Sequence, residues 1–265
     1  MQKREIEEQT VRGEEGVVAL PRTIHLVPMD HIDGFDVRPG FYEINGATAI
    51  PGGVNFTVHS HGATGIELLL FKRTAVEPFA ALRFPDRYRI GNVYSMIVFK
   101  LNIEEFEYAY RVEGPWDPKK GLLFDPNRYL LDPYARAVTG QSKWGAKSTP
   151  GMRYKARVVK DDFDWGSTER PLIPMEDLVI YELHVRGFTM HETSGVSHPG
   201  TFDGLREKIP YLKELGVNAV ELMPIFEFDE MQDARVVDGQ QLYNYWGYST
   251  VSFFSPNTSY AAGIE

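Results

Sequence analysis

Four aromatic residues lie close together near the C-terminal end of the sequence, where their rings could contact a ligand. Tyr243, Tyr245, Trp246 and Tyr248 surround a single glycine, Gly247. Glycine lets the backbone turn closely, so that the rings can point outward in several directions. Flat aromatic faces with a polar edge are suited to stacking on sugar rings. The alternative is that these rings only pack the loop that carries them.

A strand, helix and strand precede the aromatic cluster. Residues 178–185 alternate between apolar and polar side chains, which is typical of a half-buried β-strand. Thr201 is a favourable N-cap, and the apolar residues after it recur at helical spacing. We expect Pro210 to kink or restart this helix and Gly216 to end it. A second strand is expected over residues 218–223.

The connection between these two strands sets their relative direction. A helical crossover of this length joins parallel strands, with a right-handed connection. Parallel strands need cover on both faces, so the pattern predicts either a doubly wound sheet or a (β/α) barrel. In a barrel, the acidic loop over residues 225–240 leaves the second strand on the active-site face.

The region before this unit has the pattern of an antiparallel, immunoglobulin-like β-sandwich, because short alternating segments are separated by turn residues. The clearest predicted strands are residues 54–60, 66–71, 94–99 and 106–112. We therefore divide the chain into four parts. They are a partly ordered leader over residues 1–36, a β-sandwich over 37–140, a connecting segment over 141–174 and the strand–helix unit with its aromatic cluster over 175–265.

Other aromatic residues fall in the irregular stretches between the sandwich and residue 178. They are Tyr129, Trp144, Tyr154 and Trp165. Exposed rings here could also stack on sugars. Aromatic side chains beneath long loops more often form small satellite cores, so the sequence favours a packing role.

The composition excludes several classes of partner and site. The chain has 265 residues and a net charge of −9, which disfavours nucleic acids and anionic membranes as partners. It contains no cysteine, so disulfides and thiolate metal sites are excluded. The start, MQKREIEEQT, lacks an apolar targeting segment, and we expect a cytoplasmic protein. No nucleotide-binding loop, zinc spacing or EF-hand pattern is found, so no cofactor or metal is implied.

Several motifs together resemble one known family. They are YELHVRGFT from Tyr181, GTFDGLREKIPYLKELGVNAVELMPI from Gly200 and YNYWGYSTVSFFSPNTSYA from Tyr243. In this order they resemble the glycogen-debranching, isoamylase and pullulanase group of the α-amylase superfamily, glycoside hydrolase family 13. The preceding region is similar to that group's N-terminal carbohydrate-binding module, especially in YAYRVEGPWDP from Tyr108 and NRYLLDPYARAV from Asn127.

The resemblance implies hydrolysis of α-1,6 branch linkages in glycogen- or starch-type glucans. The mechanism is retaining, with a carboxylate nucleophile and a carboxylic acid about 5 Å apart. Members of this group take the nucleophile, the acid and a third carboxylate from the fourth, fifth and seventh strands of a (β/α)8 barrel. Residues 175–265 supply about 90 residues against about 250 in a whole barrel, enough for the first two or three strands.

We therefore predict a truncated, incomplete barrel. No catalytic residue is expected in this sequence, because the three carboxylates would lie beyond residue 265. The chain alone is expected to be inactive. By resemblance, Tyr248 stacks on the sugar at the cleavage site, and its neighbours Trp246 and Tyr245 complete the predicted substrate-binding set.

Glu182 and Glu221 resemble a glycosidase pair, because they lie on neighbouring predicted strands. Both are mid-strand, below the rim where barrel enzymes place their chemistry. Glu182 shares its face with His184 and Arg186, which offer charge pairing. We predict a structural interior network for these residues, with His184 as a satisfied interior histidine.

The expected partner is an α-glucan, and neither nucleic acid nor membrane is expected. Self-association, or pairing with a complementing C-terminal fragment, is expected from an unclosed parallel sheet. Two alternatives stay open. One is a non-catalytic α-glucan-binding protein, and the other is a fragment of another superfamily member, such as a branching enzyme or a trehalose-releasing hydrolase.

Overall fold

A computed structural model describes residues 26–140, 143–146, 154–160 and 162–263, and these residues are mostly β-strand with a few short helices. The first strands in the chain are β1 (Asp30–Ile32), β2 (Phe35–Pro39), β3 (Gly46–Ile50), β4 (Gly53–His59), β5 (Gly65–Lys72), β6 (Ala80–Arg83), β7 (Arg89–Ile90), β8 (Val93–Phe99), β9 (Phe106–Glu113), β10 (Trp116–Asp117), β11 (Leu122–Leu123), β12 (Ala137–Thr139) and β13 (Lys155–Arg157). The elements that follow are β14 (Ile180–Leu183), α1 (Val185–Thr189), α2 (Phe202–Glu207), α3 (Ile209–Glu214), β15 (Ala219–Leu222), β16 (Phe226–Phe228), β17 (Arg235–Val237), β18 (Gln240–Leu242) and β19 (Thr250–Pro256).

Two antiparallel sheets pack face to face around one apolar core. The strand order is β1-β2-β8-β4-β3 in the first sheet, where β7 also pairs with β8, and β12-β13-β9-β5-β6 in the second. Phe56 of β4 and Tyr108 of β9 meet across the core with ring centroids 5.2 Å apart, edge to face. Both side chains are buried. The predicted antiparallel β-sandwich is therefore observed.

The length and the apolar composition of the four main sandwich strands explain why they could be predicted from the sequence, and β4 also alternates. The predicted strands correspond to β4, β5, β8 and β9, and each bound agrees within one residue. Along β4, Val54, Phe56 and Val58 point into the core between the sheets. Side chains at every second position share one face of a strand, so the apolar pattern marks both the strand and its buried face.

The sandwich strands extend beyond the predicted bounds of residues 37 and 140, because β1 precedes this range and β13 follows it. Each of these strands has three residues, too few to show an alternating pattern. Much of the predicted leader, residues 1–25, lies outside the described residues. Residues 141–142, 147–153 and 161 of the predicted connecting segment also lie outside them.

The strands β14 and β15 form a parallel pair joined by helices, as expected. Their register places Ile180 opposite Ala219 and Leu183 opposite Leu222. The hydroxyl of Thr201 accepts a hydrogen bond from the Gly204 N–H and caps α2. The crossover helix divides at Lys208, and α3 begins with Pro210 in its first turn. The helical restart predicted at Pro210 is therefore confirmed.

The first parallel strand is shorter than predicted. The predicted strand covers residues 178–185, whereas β14 ends at Leu183 and α1 begins at Val185. The cause is His184, whose Nδ1 accepts a hydrogen bond from the Gly187 N–H, 3.0 Å away, and so caps α1. An alternating pattern does not distinguish a strand residue from a capping residue that follows it.

The C-terminal part adds two antiparallel pairs. β16 pairs with β19, and β17 pairs with β18. A β-hairpin therefore begins within the loop predicted over residues 225–240 and ends at Leu242. Asp238 and Gly239 close it, with positive φ of +50° and +77°. Two central residues in this conformation match the tight turns that favour Asp-Gly. The Ser255 hydroxyl lies 2.5 Å from the Ala135 carbonyl oxygen, which connects β19 to the sandwich.

Candidate functional site

The predicted substrate-binding aromatics divide into exposed rings and a supporting ring. Tyr248 is 70% exposed and Trp246 is 53% exposed. Tyr245 is half-buried and stacks on His184, with ring centroids 4.3 Å apart and an angle of 12° between the rings. Trp246 meets the edge of Tyr245 at 5.4 Å. Trp246 is therefore held on a packed ring, and Tyr248 is the more exposed of the two.

Gly247 is required at the centre of this cluster for two separate reasons. Its φ is +77°, a conformation that disfavours side chains with a Cβ. A Cβ at this position would also lie 2.6 Å from two ring carbons of Phe228. The backbone at Gly247 therefore packs directly on a buried ring, which leaves the neighbouring aromatics on the outside.

His184 joins the aromatic cluster to the end of β14. Its Nε2 lies 2.9 Å from the Tyr245 carbonyl oxygen and 3.2 Å from the Tyr260 hydroxyl. Burial lowers the pKa of His184 below its ordinary value. Since its Nδ1 accepts from Gly187, the neutral ring donates from Nε2 to Tyr245. Both nitrogens are engaged, which fits the predicted interior histidine and not a general base.

A second layer of rings lies beneath Tyr245. Trp144 stacks on Tyr260 with centroids 6.1 Å apart, and it meets Tyr245 edge-on at 5.8 Å. The guanidinium carbon of Arg186 lies 4.5 Å from the Trp144 ring centroid, within the range of a cation–π contact. Because these rings pack on one another, they restrict the rotation of Tyr245.

The other predicted aromatics do not share one role. Tyr129 meets Phe71 edge-on at 5.5 Å, within a small cluster on the outer face of the second sheet. The satellite-core interpretation is confirmed for Tyr129 and Trp144. Trp165, in contrast, is 75% exposed and contacts Phe163, with ring centroids 4.9 Å apart.

Glu182 and Glu221 lie directly side by side on the parallel strands, as predicted from their positions. Both are exposed, and neither forms an ion pair with another described residue. The predicted pairing of Glu182 with His184 and Arg186 is therefore wrong. The reason is that β14 ends at Leu183, so His184 caps α1 and Arg186 lies within α1, and neither continues the strand face.

Two buried carboxylates were not identified from the sequence. Glu227 and Glu230 are fully buried, and the Asn257 side-chain amide lies 3.3 Å from an oxygen of each. The Thr258 backbone N–H donates to Glu227 at 2.9 Å, and its hydroxyl also contacts this carboxylate. Burial raises the pKa of Glu227 to about 7. The alternation Phe226-Glu227-Phe228 would place the glutamate outside, so the sequence carries no local signal for its burial.

The described part of the chain contains no group of three or more His, Asp or Glu side chains arranged to hold a metal ion. Across the same residues, every helix is too short or too polar to cross a lipid bilayer. The sequence-based expectation of no cofactor stays a prediction.

Comparison with known proteins shows which proteins the chain is similar to. Residues 45–135 match carbohydrate-binding module 48, the isoamylase N-terminal domain. Over 241 residues, the chain is 35% identical to isoamylase 1, chloroplastic, of Arabidopsis thaliana, an alignment that covers 87% of this chain and 31% of that protein. The chain is similar to isoamylases and glycogen debranching enzymes, and residues 45–135 are similar to their N-terminal carbohydrate-binding module. The resemblance described from the sequence motifs is thus confirmed.

Two further family comparisons extend over the same region. The chain is 36% identical over 228 residues to the glycogen debranching enzyme of Yersinia enterocolitica, covering 80% of this chain and 33% of that enzyme. The crystal structure of pullulanase from Anoxybacillus sp. LM18-11 superposes with a TM-score of 0.62 and 27% identity, covering 83% of this chain and 29% of that structure. The chain spans about a third of the length of these family members.

Proposed function

We propose that this protein acts in the debranching of α-glucans, by hydrolysis of α-1,6 linkages, and that the described residues bind the glucan. The observation that carries this proposal is the placement of Trp246 and Tyr248. Through Tyr245, Trp246 lies against His184, directly after the C-terminal end of β14, and Tyr248 follows two residues later as an exposed ring. Barrel enzymes place their active sites at this end of their strands.

We infer that β14 and β15 are the first strands of a (β/α)8 barrel. Their parallel register and the α2–α3 crossover support this assignment. One face of the pair packs on the helices, through Tyr181, Leu183 and Leu222. The opposite face carries Ile180, which is 54% exposed. Parallel sheets are covered on both faces, so this bare face fits the interior of a barrel completed by further strands.

We propose that hydrolysis requires carboxylates other than the four glutamates described above. A retaining pair flanks the scissile bond at the active-site rim. Glu182 and Glu221 lie mid-strand, and Glu227 and Glu230 are buried beneath the aromatic cluster. We therefore keep the expectation that the catalytic carboxylates lie beyond residue 265.

A second candidate function is glucan binding without catalysis. The exposed Trp246 and Tyr248 rings beside a carbohydrate-binding sandwich favour it, because neither feature requires the hydrolytic residues. The α-glucan is the proposed partner in both cases. A cytoplasmic location stays a prediction from the sequence.

Glucan binding is tested by electrophoresis of the 265-residue protein through native gels containing glycogen. We expect glycogen to retard the protein, and the Trp246→Ala/Tyr248→Ala variant to lose most of this retardation. The matched control is Phe163→Ala/Trp165→Ala, which removes an equally exposed ring pair elsewhere. Equal loss in both variants, or no retardation at all, would contradict the proposed binding surface.

Hydrolysis is tested separately, by the release of reducing ends from glycogen. We expect none from the 265-residue protein. A fusion to the remaining barrel of a family member is expected to release linear chains, and the release should fall in the Trp246→Ala/Tyr248→Ala background. Release of linear glucan by the 265-residue protein itself would show that its own carboxylates suffice.

A further inference from the structure

Arg186 in α1 is a half-buried cation that has no acidic partner among the described residues. Two other arginines, Arg83 and Arg206, are more exposed, yet each pairs with an acid, at 2.9 and 2.8 Å. Burial lowers the pKa of the Arg186 guanidinium below its ordinary value. A buried charge costs free energy unless other groups compensate for it. The groups around Arg186 must therefore stabilise its charge in a different way.

An aromatic ring supplies this compensation. The guanidinium carbon of Arg186 lies 4.5 Å from the centroid of the Trp144 ring, within the distance of a cation–π contact. A planar guanidinium group can also stack on an aromatic face, which a lysine ammonium cannot do. The stem of the side chain runs beside Gly200, where a Cβ would lie 3.2 Å from Cγ and 3.3 Å from Nη1 of Arg186. Glycine at residue 200 therefore leaves room for Arg186 to reach Trp144.

Trp144 reaches the aromatic cluster from the β-sandwich. It lies in the chain between β12 and β13, two neighbouring strands of the second sheet. Its ring stacks on Tyr260, with centroids 6.1 Å apart and an angle of 12° between the rings. The sandwich thus contributes a ring to the base of the candidate glucan-binding surface.

A continuous series of ring contacts joins Trp144 to the exposed surface. Trp144 meets Tyr245 edge-on at 5.8 Å, and Tyr245 meets Trp246 edge-on at 5.4 Å. Trp144 also meets the buried Phe228 ring at 5.9 Å. Packed side chains leave little free volume, so a shift of Trp144 would displace Tyr245 first and the exposed Trp246 ring next.

We propose that Arg186 is a positioning residue for glucan binding, which holds Trp144 of the sandwich in the base of the aromatic cluster and thereby orients Tyr245 and Trp246. The inference rests on the proposed glucan binding and adds a coupling between the sandwich and this surface. Arg186 acts through Trp144 and not by contact with the sugar. A restrained ring loses less conformational entropy on binding than a mobile one, which raises the affinity.

Native gels with increasing concentrations of glycogen test this proposal on the 265-residue protein. The ratio of mobilities with and without glycogen gives an apparent dissociation constant and cancels the change in net charge. Arg186→Gln should raise this constant about fivefold, as expected for the loss of a partly desolvated cation–π contact. Arg186→Lys retains a cation beside Trp144 and should raise it by less, about twofold. The matched control Arg206→Gln removes the same charge from an exposed site on α2 and should leave the constant unchanged.

A double-mutant cycle shows whether Arg186 acts through Trp144. Trp144→Leu alone should raise the constant at least as much as Arg186→Gln does. In the Trp144→Leu background, Arg186→Gln should raise it no further, because the ring that it positions is already gone.

The outcomes separate this inference from the proposed function. Additive effects of the two substitutions, or unchanged binding in Arg186→Gln, would overturn the positioning role while binding still depends on Trp246 and Tyr248. No retardation of the unaltered protein would overturn the proposed glucan binding, and this inference with it. If Arg186→Gln melts at a lower temperature, Arg186→Met, which retains the apolar stem, decides the question by the same comparison.

Discussion

Glu227 is a buried acid whose protonation depends on its surroundings. Its side chain is fully buried, and the nearby Glu230 carboxylate also disfavours its ionised form. Burial raises its pKa from 4.5 to about 7, while hydrogen bonds from Thr258 act in the opposite direction. Tyr154 and Tyr260 also belong to this environment, and burial raises the pKa of both hydroxyls. Between pH 4.5 and 7, the Glu227 carboxyl of the folded protein therefore holds a proton that the same group releases in the unfolded chain.

We predict that this proton makes the folded state more stable at low pH. Between pH 4.5 and 7 the folded state binds more protons than the unfolded state, so the free energy of unfolding falls as pH rises. The contribution is up to about 3 kcal/mol, from 1.36 kcal/mol per pKa unit. Urea unfolding at several pH values measures this dependence. Glu227→Gln should remove most of it.

Glu214→Gln is the control for this experiment, because Glu214 is exposed on α3. It should retain the pH dependence of the unaltered protein. A Glu227→Gln variant with an unchanged pH profile would show that the carboxylate is ionised in the folded protein throughout this range.

At the scale of turns, two glycines with the same backbone angle separate conformational strain from packing. Gly239 and Gly247 both have a φ of +77°. A Cβ at Gly239 meets no atom within 4 Å, whereas at Gly247 it would lie 2.6 Å from the Phe228 ring. Gly239→Ala should cost about 1 kcal/mol, from the left-handed conformation alone. Gly247→Ala should cost roughly 1–3 kcal/mol more than this, because the added Cβ overpacks against the Phe228 ring.

Urea unfolding of the two variants measures this difference, and glucan binding provides a second readout. Gly247→Ala should also weaken glycogen binding, because Trp246 and Tyr248 flank the displaced backbone. Gly239→Ala should leave it unchanged. Equal destabilisation of the two variants would mean that Phe228 moves aside at little cost.

Elements with strong local signals could be predicted from the sequence, and those without them could not. β4, β5, β8 and β9 are seven or eight residues long and rich in apolar and aromatic residues, so their bounds were predictable. β1 and β13 are too short to alternate. At the candidate site, the aromatic cluster around Gly247 was predictable from residue types. The burial of Glu227 was not, because it depends on how a polar loop folds back.

At the scale of the whole molecule, the parallel pair β14–β15 is the least complete part of the described structure. Each strand pairs only with the other, so each leaves one edge unpaired among the described residues. The uncovered face carries Ile180 beside Glu182 and Glu221, two acids in direct register. Unpaired edges favour association, and charged side chains oppose it.

We therefore predict weak, concentration-dependent self-association that these two glutamates limit. Glu182→Gln/Glu221→Gln should tighten association about fivefold, since like charges in register cost up to about 1 kcal/mol. Sedimentation velocity at physiological ionic strength measures this change. The control Glu192→Gln/Glu214→Gln alters the net charge equally, at exposed sites away from the sheet. If both variants associate to the same extent, net charge governs association. The unpaired edges of β14 and β15 would then not be the surfaces through which the protein associates.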